Sequence, residues 1–373
     1  MTADRLLGHV ASVGLPTAAD TASEVAKPLA DTAWQTLTAA VRRQRLAGLL
    51  VDAIERGTLP ATDQQWEDAL ELHMRGCLAV LHLERRLLEI TSLFEREGVT
   101  HLVLKGSGVA HLSYPEPQLR LFRDNDVLVA TDDLGRAQHL LEGLGYRRQV
   151  PELRPDFDRR FGKSITLSGP EGDELDMHRT LVFGSFGFLI DPDELFASAS
   201  TFALGGHRLR ALGPEMRLLH ACYHAALGDP VPRYSSVRDV AQMLTTGEHD
   251  SAALIDLIRR WRAEAVVARA VGLCRGLLGL TYRDAITALT ESHVPGRRER
   301  RAIDSYVGAD RGFSTKVLAS LPYLGTRDRM ALLHAALRPS RGAAAARGEA
   351  SGVAWLRRGL AGVQRRLRRG TGR

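Results

Sequence analysis

The chain has only three cysteines, Cys77, Cys222 and Cys274, far apart and without a Cys-x-x-Cys spacing. That excludes a disulfide framework and a cysteine-based zinc cluster, and it points to reduced thiols. No run of about 18 apolar residues occurs, so no transmembrane helix is expected. The start, Met1-Thr-Ala-Asp-Arg5, lacks a basic segment followed by an apolar stretch and a small-residue cleavage site, so a cytoplasmic location is expected. Lysine is scarce, with Lys27, Lys105, Lys163 and Lys316 the only four among 50 basic residues. Excess positive charge is also missing from most of the chain. From Ser340 onward nine arginines face one acid, Glu349, which gives that tail +8 and leaves −2 for everything before it.

What is present is ordinary globular composition: 44% hydrophobic and 25% charged over 373 residues. This excludes wholesale disorder, collagen and coiled coil. Ala33–Ile54 and Gln64–Glu97 repeat apolar residues at helical steps. After Gly98 the pattern changes to short apolar runs: His101–Lys105, Val127–Ala130, Tyr146–Val150, Ser164–Leu167 and Glu174–His178 read as strands. Thr131 is placed as the N-cap of a helix ending near Gly143 or Gly145, and Ser168–Asp173 has hairpin-turn composition. Helical periodicity returns at 215–227, 234–246, 251–262, 264–279 and 325–337. The expected fold is therefore α+β, a small mixed sheet flanked by helical N- and C-terminal regions. Its expected divisions are a helical region at 1–98, a core at 99–212, a helical domain at 213–339 and a basic flexible tail at 340–373.

Three segments carry chemistry. Leu104-Lys-Gly-Ser-Gly108 joins a strand to a helix, where glycine lets backbone approach an anion and the helix start favours phosphate; Ser107 adds a hydroxyl and Lys105 a cation. In Arg123-Asp-Asn-Asp126, residues two apart on a strand share a face, so Asp124 and Asp126 project together and repel unless a cation such as Mg²⁺ lies between them. In Asp173-Glu-Leu-Asp-Met-His178, Asp176 and His178 likewise share a face, and a third carboxylate serves a second metal site or a proton.

This order of strand, Gly-Ser, helix, Asp-x-Asp strand and later Asp resembles the nucleotidyltransferase superfamily typified by DNA polymerase β. More narrowly, LKGSGVAHLSYPEPQLRLFRDNDVLV followed by LDMHRTL resembles a large bacterial family of uncharacterised nucleotidyltransferases, over roughly residues 80–245. The helices at Leu218–Ala225 and Val237–Val240 resemble that family's helical second half. Asn125 stands where the family has a core-facing apolar residue, and Arg179 where it has Trp. The resemblance implies a Mg²⁺-dependent transfer of a nucleoside monophosphate from an NTP, with release of pyrophosphate. It implies that Asp124 and Asp126 hold two Mg²⁺ ions, that Gly106 and Ser107 cradle the β- and γ-phosphates, and that Asp176 ligates the catalytic metal and orients the incoming hydroxyl. Lys105, Arg120 and Arg123 are candidates for phosphate contacts, and His178 for the acceptor side.

The acceptor is open: an RNA, a protein, a small molecule or a peptide natural product. Rival readings are a non-catalytic nucleotide-binding regulator or scaffold, and a toxin that modifies transfer RNA. His220 and His224, four apart, lack the HExxH arrangement of a metal pair; Cys222 between them reads as core. Asp239 is placed to fix one of these histidines, and Tyr223 and Tyr234 to line the acceptor side. Trp355, Leu356, Leu360, Val363 and Leu367 recur among the tail arginines, a basic amphipathic pattern suited to an anionic partner.

Overall fold

The computed structural model describes residues 2–17 and 25–346. The helices and strands run, in chain order, α1 (Ala3–Ala11), α2 (Asp31–Gln44), α3 (Ala47–Glu55), α4 (Asp63–Arg96), β1 (His101–Val103), α5 (Lys105–Ser113), β2 (Asn125–Val129), α6 (Leu134–Gly143), β3 (Arg147–Arg148), α7 (Phe157–Arg160), β4 (Ser164–Ser168) and β5 (Glu174–His178). There follow β6 (Ala199–Leu204), β7 (His207–Leu212), α8 (Pro214–Leu227), α9 (Tyr234–Thr246), α10 (Ser251–Arg260), α11 (Glu264–Leu278), α12 (Ala285–Ser292), α13 (Arg297–Val307), α14 (Phe313–Ser320), α15 (Thr326–Leu337) and α16 (Arg341–Ala346). The strands form a mixed sheet in the order β3-β4-β5-β2-β1-β7-β6. The fold is α+β. No helix among the described residues is long and apolar enough to cross a membrane. The basic amphipathic pattern from Trp355 to Leu367 lies outside the described residues.

Two compact units divide the chain: Met1–Asp126 with Ser198–Val294, and Val127–Ala197 with Pro295–Arg373. In the first, α4 begins with a capping box, in which Thr62 Oγ1 accepts from the Gln65 amide and the Gln65 side chain accepts from the Thr62 amide. The single helical stretch expected over Ala33–Ile54 is two helices. Arg45 takes a left-handed conformation (φ 60°, ψ 40°) and ends α2, its amide closing onto the Arg42 and Val41 carbonyls. No glycine marks that break, so periodicity runs straight through it.

Two strands escaped the sequence reading. β6 and β7 form an antiparallel hairpin around Gly205-Gly206, both at positive φ (54° and 82°), the backbone that a tight two-residue turn requires. β7 then pairs parallel with β1, Val103 opposite Ala211. The clue was Phe202, Leu204, Leu209 and Ala211, which alternate about the glycine pair and are all buried. Helices α8, α9 and α11 pack Leu219, Val237, Val240, Val266, Ala270 and Cys274 out of water.

In the second unit, β4 and β5 form the expected hairpin, with Thr166 opposite Asp176 and Ser164 opposite His178. Thr131 opens a 3₁₀ turn (Thr131–Asp133) instead of capping the helix, which starts at Leu134 with no side-chain cap. Leu153, Phe157 and Phe161 pack against Val317, Leu332 and Ala335, surrounded by Phe183, Phe188 and Phe313. Each fully buried Phe of this kind contributes about 2–3 kcal/mol by removal from water.

Candidate active site

The turn at the start of α5 is the most distorted backbone among the described helices. Lys105 and Gly106 both have positive φ (28° and 32°), and Gly106 has ψ −121°, far from helical. For Lys105 that is a strained conformation, of the kind held by its surroundings at functional sites. Two interactions hold it. The Leu104 amide donates to the Asp126 carbonyl at 2.9 Å, and the Lys105 ammonium lies 2.7 Å from Asp126 Oδ1. Both side chains are mostly buried, so each neutralises the other where water does not.

Ser107 follows, 1% exposed, and its Oγ is buried with no hydrogen-bond partner among the described residues. A buried hydroxyl left unpaired costs free energy, which makes Ser107 at this helix start a candidate donor. Gly106 admits no side chain easily: a Cβ there would lie 3.3 Å from the Phe122 ring and 3.6 Å from the Asp124 carbonyl oxygen.

Arg120 closes the turn from the other side. Its Nη1 donates to the Gly106 carbonyl at 3.1 Å, while Nε and Nη2 each donate to an Asp239 carboxylate oxygen at 2.8 Å. The Tyr114 hydroxyl donates to Asp239 Oδ1 at 2.9 Å. Burial works against the Arg120 charge, but the Asp239 carboxylate outweighs it and holds the guanidinium above its ordinary pKa. Burial and then Asp239 push the Tyr114 hydroxyl well up, so it stays a donor. Arg120 thus braces the turn with its charge already matched. Asp239, placed by the sequence reading beside a histidine, holds Arg120 and Tyr114 instead.

The acidic residues sit differently from one another. β2 starts at Asn125, so Asp124 lies in the preceding bend, partly exposed, while Asp126 is on the strand and 3% exposed. Asn125, where an apolar residue was expected, is buried and donates from Nδ2 to the Leu83 carbonyl of α4 at 2.8 Å. Arg123 is exposed. On β5, Asp176 Oδ1 accepts from Thr166 Oγ1 across the hairpin at 2.5 Å. His178 is fully buried; its Nδ1–H donates to the Thr180 carbonyl at 3.3 Å, which turns Nε2 toward Asp176 Oδ2 at 3.9 Å. Within the second unit, Asp176 and His178 thus present a carboxylate and an imidazole side by side on β5, donors that suit a metal ion.

His220 is buried on α8 and His224 partly so, with Cys222 between them also buried. Burial pushes the Cys222 thiol up to about 12, which makes it an inert core residue. Tyr223 is buried, and the Tyr234 hydroxyl donates to the Asp4 carbonyl at 3.1 Å. The sequence reading named Ser107 as a phosphate donor from the Lys-Gly-Ser-Gly motif but passed over Arg45 and Tyr114's bond to Asp239, for which the sequence carried no signal.

A strand leading into a strained glycine turn with an unpaired buried hydroxyl, followed by acidic residues on later strands, is the order that the sequence resemblance implies. The model of a family described as uncharacterised nucleotidyltransferase matches residues 30–279, and the chain belongs to that family. No curated protein matches the chain. Among solved structures, a lincosamide antibiotic adenylyltransferase, LnuA, bound to lincomycin is similar at 20% identity, over 43% of this chain and 94% of that one, with a TM-score of 0.31. An antigenic nucleotidyltransferase-like protein from Paracoccidioides brasiliensis is similar at 15% identity, over 57% of this chain and 96% of that one, with a TM-score of 0.29.

Proposed function

We propose that this nucleotidyltransferase uses a divalent metal, with Mg²⁺ as the expected ion, to move a nucleoside monophosphate from an NTP to an acceptor hydroxyl. The observation that carries this reading is Ser107, whose buried hydroxyl is unpaired in a turn already flanked by the Lys105 ammonium and the Asp126 carboxylate. An oxygen-rich anion fits that turn: it takes a hydrogen bond from the Ser107 hydroxyl and from amides at the start of α5. It also draws the Lys105 ammonium, which leaves Asp126 to a metal.

The residues present fit such a metal. Asp126 and Asp176 offer carboxylate oxygens, Asp124 a third, more exposed one, and His178 a nitrogen on the same hairpin strand as Asp176. When bound, the ion supplies charge neutralisation at the phosphates and acidifies a coordinated hydroxyl. The chain's own residues do the rest. Gly106 lets backbone approach the phosphates, Arg120 holds the turn in shape, and Ser107 donates to a phosphate oxygen. Lys105 offsets the charge that develops as pyrophosphate leaves, and Arg123 stands as a further cation for it. Asp176, fixed by Thr166, orients the acceptor hydroxyl and takes its proton, with His178 held beside it.

The test is label transfer. The protein is incubated with Mg²⁺ and each α-labelled NTP, with total RNA, with cell lysate, and alone. Label moves in wild type and falls at least a hundredfold in Asp126→Asn and Asp176→Asn. Transfer that persists in both variants, or none with any NTP in wild type, rejects the reading. The fraction that carries label names the acceptor class.

A further inference from the structure

Arg45 ends α2 as its C-cap, yet its side chain does no evident folding work. It adopts the left-handed conformation (φ 60°, ψ 40°) at the end of α2, where Gly or Asn would stabilise the break better. Its side chain is half-buried and has no hydrogen bond or ion pair among the described residues. The Asp124 carboxylate is the one anion among the charges that act on it, and no direct ion pair forms, so a guanidinium partly removed from water there gains from a ligand anion.

Two close approaches fix where Arg45 stands. The Gln44 side-chain oxygen accepts from the Tyr234 amide at 3.1 Å, tying the end of α2 to the start of α9, where Arg233 is the capping residue. Three residues further on, a Cβ at Gly48 would lie 2.6 Å from the Gln118 carbonyl oxygen and 2.8 Å from Leu119 Cα. That glycine lets α3 abut the segment leading to Arg120, which itself reaches the Gly106 carbonyl. The charges acting on Arg45 are accordingly those of Asp124, Arg233, Arg123 and Arg120. Of these cations, Arg120 is held by Asp239 and Arg233 by Asp229 at 2.7 Å. Arg45 feels the Asp124 carboxylate but forms no direct ion pair, and Arg123 forms none either, among the described residues.

We propose that Arg45, with Arg123, forms an anion site adjoining the Gly106-Ser107 turn, and that its ligand is the polyphosphate of the nucleotide, the group that leaves as pyrophosphate. The proposal rests on the nucleotidyl-transfer reading and extends it to a residue of the N-terminal helices. A polyphosphate fits because it carries several charges along its length and spans more than one cation, as a single carboxylate does not.

The experiment is calorimetric titration of the full chain with inorganic pyrophosphate, with inorganic phosphate as the comparison, on wild type, Arg45→Gly, Arg45→Asn and Arg45→Lys. Wild type binds pyrophosphate and prefers it to phosphate. Arg45→Gly and Arg45→Asn lose about tenfold in pyrophosphate affinity, while Arg45→Lys keeps most of it. Thermal midpoints separate this from damage to the fold: Gly and Asn tolerate the left-handed backbone, so their midpoints equal or exceed that of wild type. Equal pyrophosphate affinity in wild type and Arg45→Gly overturns the proposal. So does absence of binding in wild type, or equal affinity for phosphate and pyrophosphate. Arg45-dependent pyrophosphate binding by a chain that transfers no label keeps this site and rejects the transfer reading; label transfer with Arg45-independent binding does the reverse.

Discussion

Asp239 on α9 accepts a paired hydrogen bond from Arg120, one carboxylate oxygen to Nε and the other to Nη2, both at 2.8 Å, across 119 residues of sequence. The pair fastens a helix of the C-terminal half to the segment that leads into β2. Through Arg120 Nη1 it reaches the Gly106 carbonyl, so a residue that touches no substrate in the proposed reaction sets the shape of the anion turn.

Breaking that pair from one side strands the other charge. Asp239→Asn is expected to lower stability by about 3 kcal/mol in urea denaturation, because the Arg120 guanidinium stays buried without its counter-charge. Tyr114→Phe removes only a neutral donor to the same carboxylate and should cost about 1 kcal/mol. Equal losses for the two would mean that the ion pair is not what holds the turn.

Lys105 is the counter-charge of Asp126, 2.7 Å from its Oδ1. Lys105→Met should therefore lower the thermal midpoint in EDTA, and added Mg²⁺ should restore more of it than the same addition gives wild type. A variant whose midpoint ignores Mg²⁺ would show that Asp126 does not take a cation.

The cysteines differ in access. Cys77 is half-buried, whereas Cys222 and Cys274 are buried and their thiols are pushed up by burial, Cys222 to about 12. At pH 8 a disulfide reagent should modify one thiol per native chain and three after denaturation. Raising the pH to 9 should speed only the Cys77 reaction, since its own thiol is also raised by burial and still gains thiolate in that range.

His101 carries a pH signature. Burial lowers its pKa from the ordinary 6.5, Glu95 and the Val99 carbonyl pull it back up, and Arg210 lowers it further. The unfolded chain then binds a proton that the folded one resists, so this group's contribution is intact above 6.5 and is lost as pH falls below it. His101→Gln should show a shallower drop in thermal midpoint between pH 7.5 and 5.5 than wild type. Identical slopes would assign the acid sensitivity to other groups.

The legible parts of the site were those set by neighbours in sequence. The Lys-Gly-Ser-Gly turn, the Asp-x-Asp segment and the Asp-x-His strand each depend on local backbone rules, period-two facing on a strand and glycine at a tight approach. The turn emerged where expected, and β5 runs over the expected Glu174–His178. Asp124 lies just outside that strand, one residue before β2 begins, where period-two facing is less firmly set. Asn125 shows a limit of these rules, since its burial makes sense only once the Leu83 carbonyl is brought beside it.

The sequence by itself determined the α+β class, the long capped helix α4, the hairpin of β4 and β5, the uneven charge between body and tail, and the family. These follow from composition, periodicity and short motifs, whose physics acts within a few residues. Tertiary structure alone decided which charges are matched and which are not. It paired Arg120 with Asp239, set Lys105 against Asp126, left the Ser107 hydroxyl without a partner among the described residues, and held Arg45 in a left-handed bend with no direct ion pair. No local rule predicts those outcomes, because an ion pair or an orphaned hydroxyl depends on which distant backbone comes within about 3 Å of it.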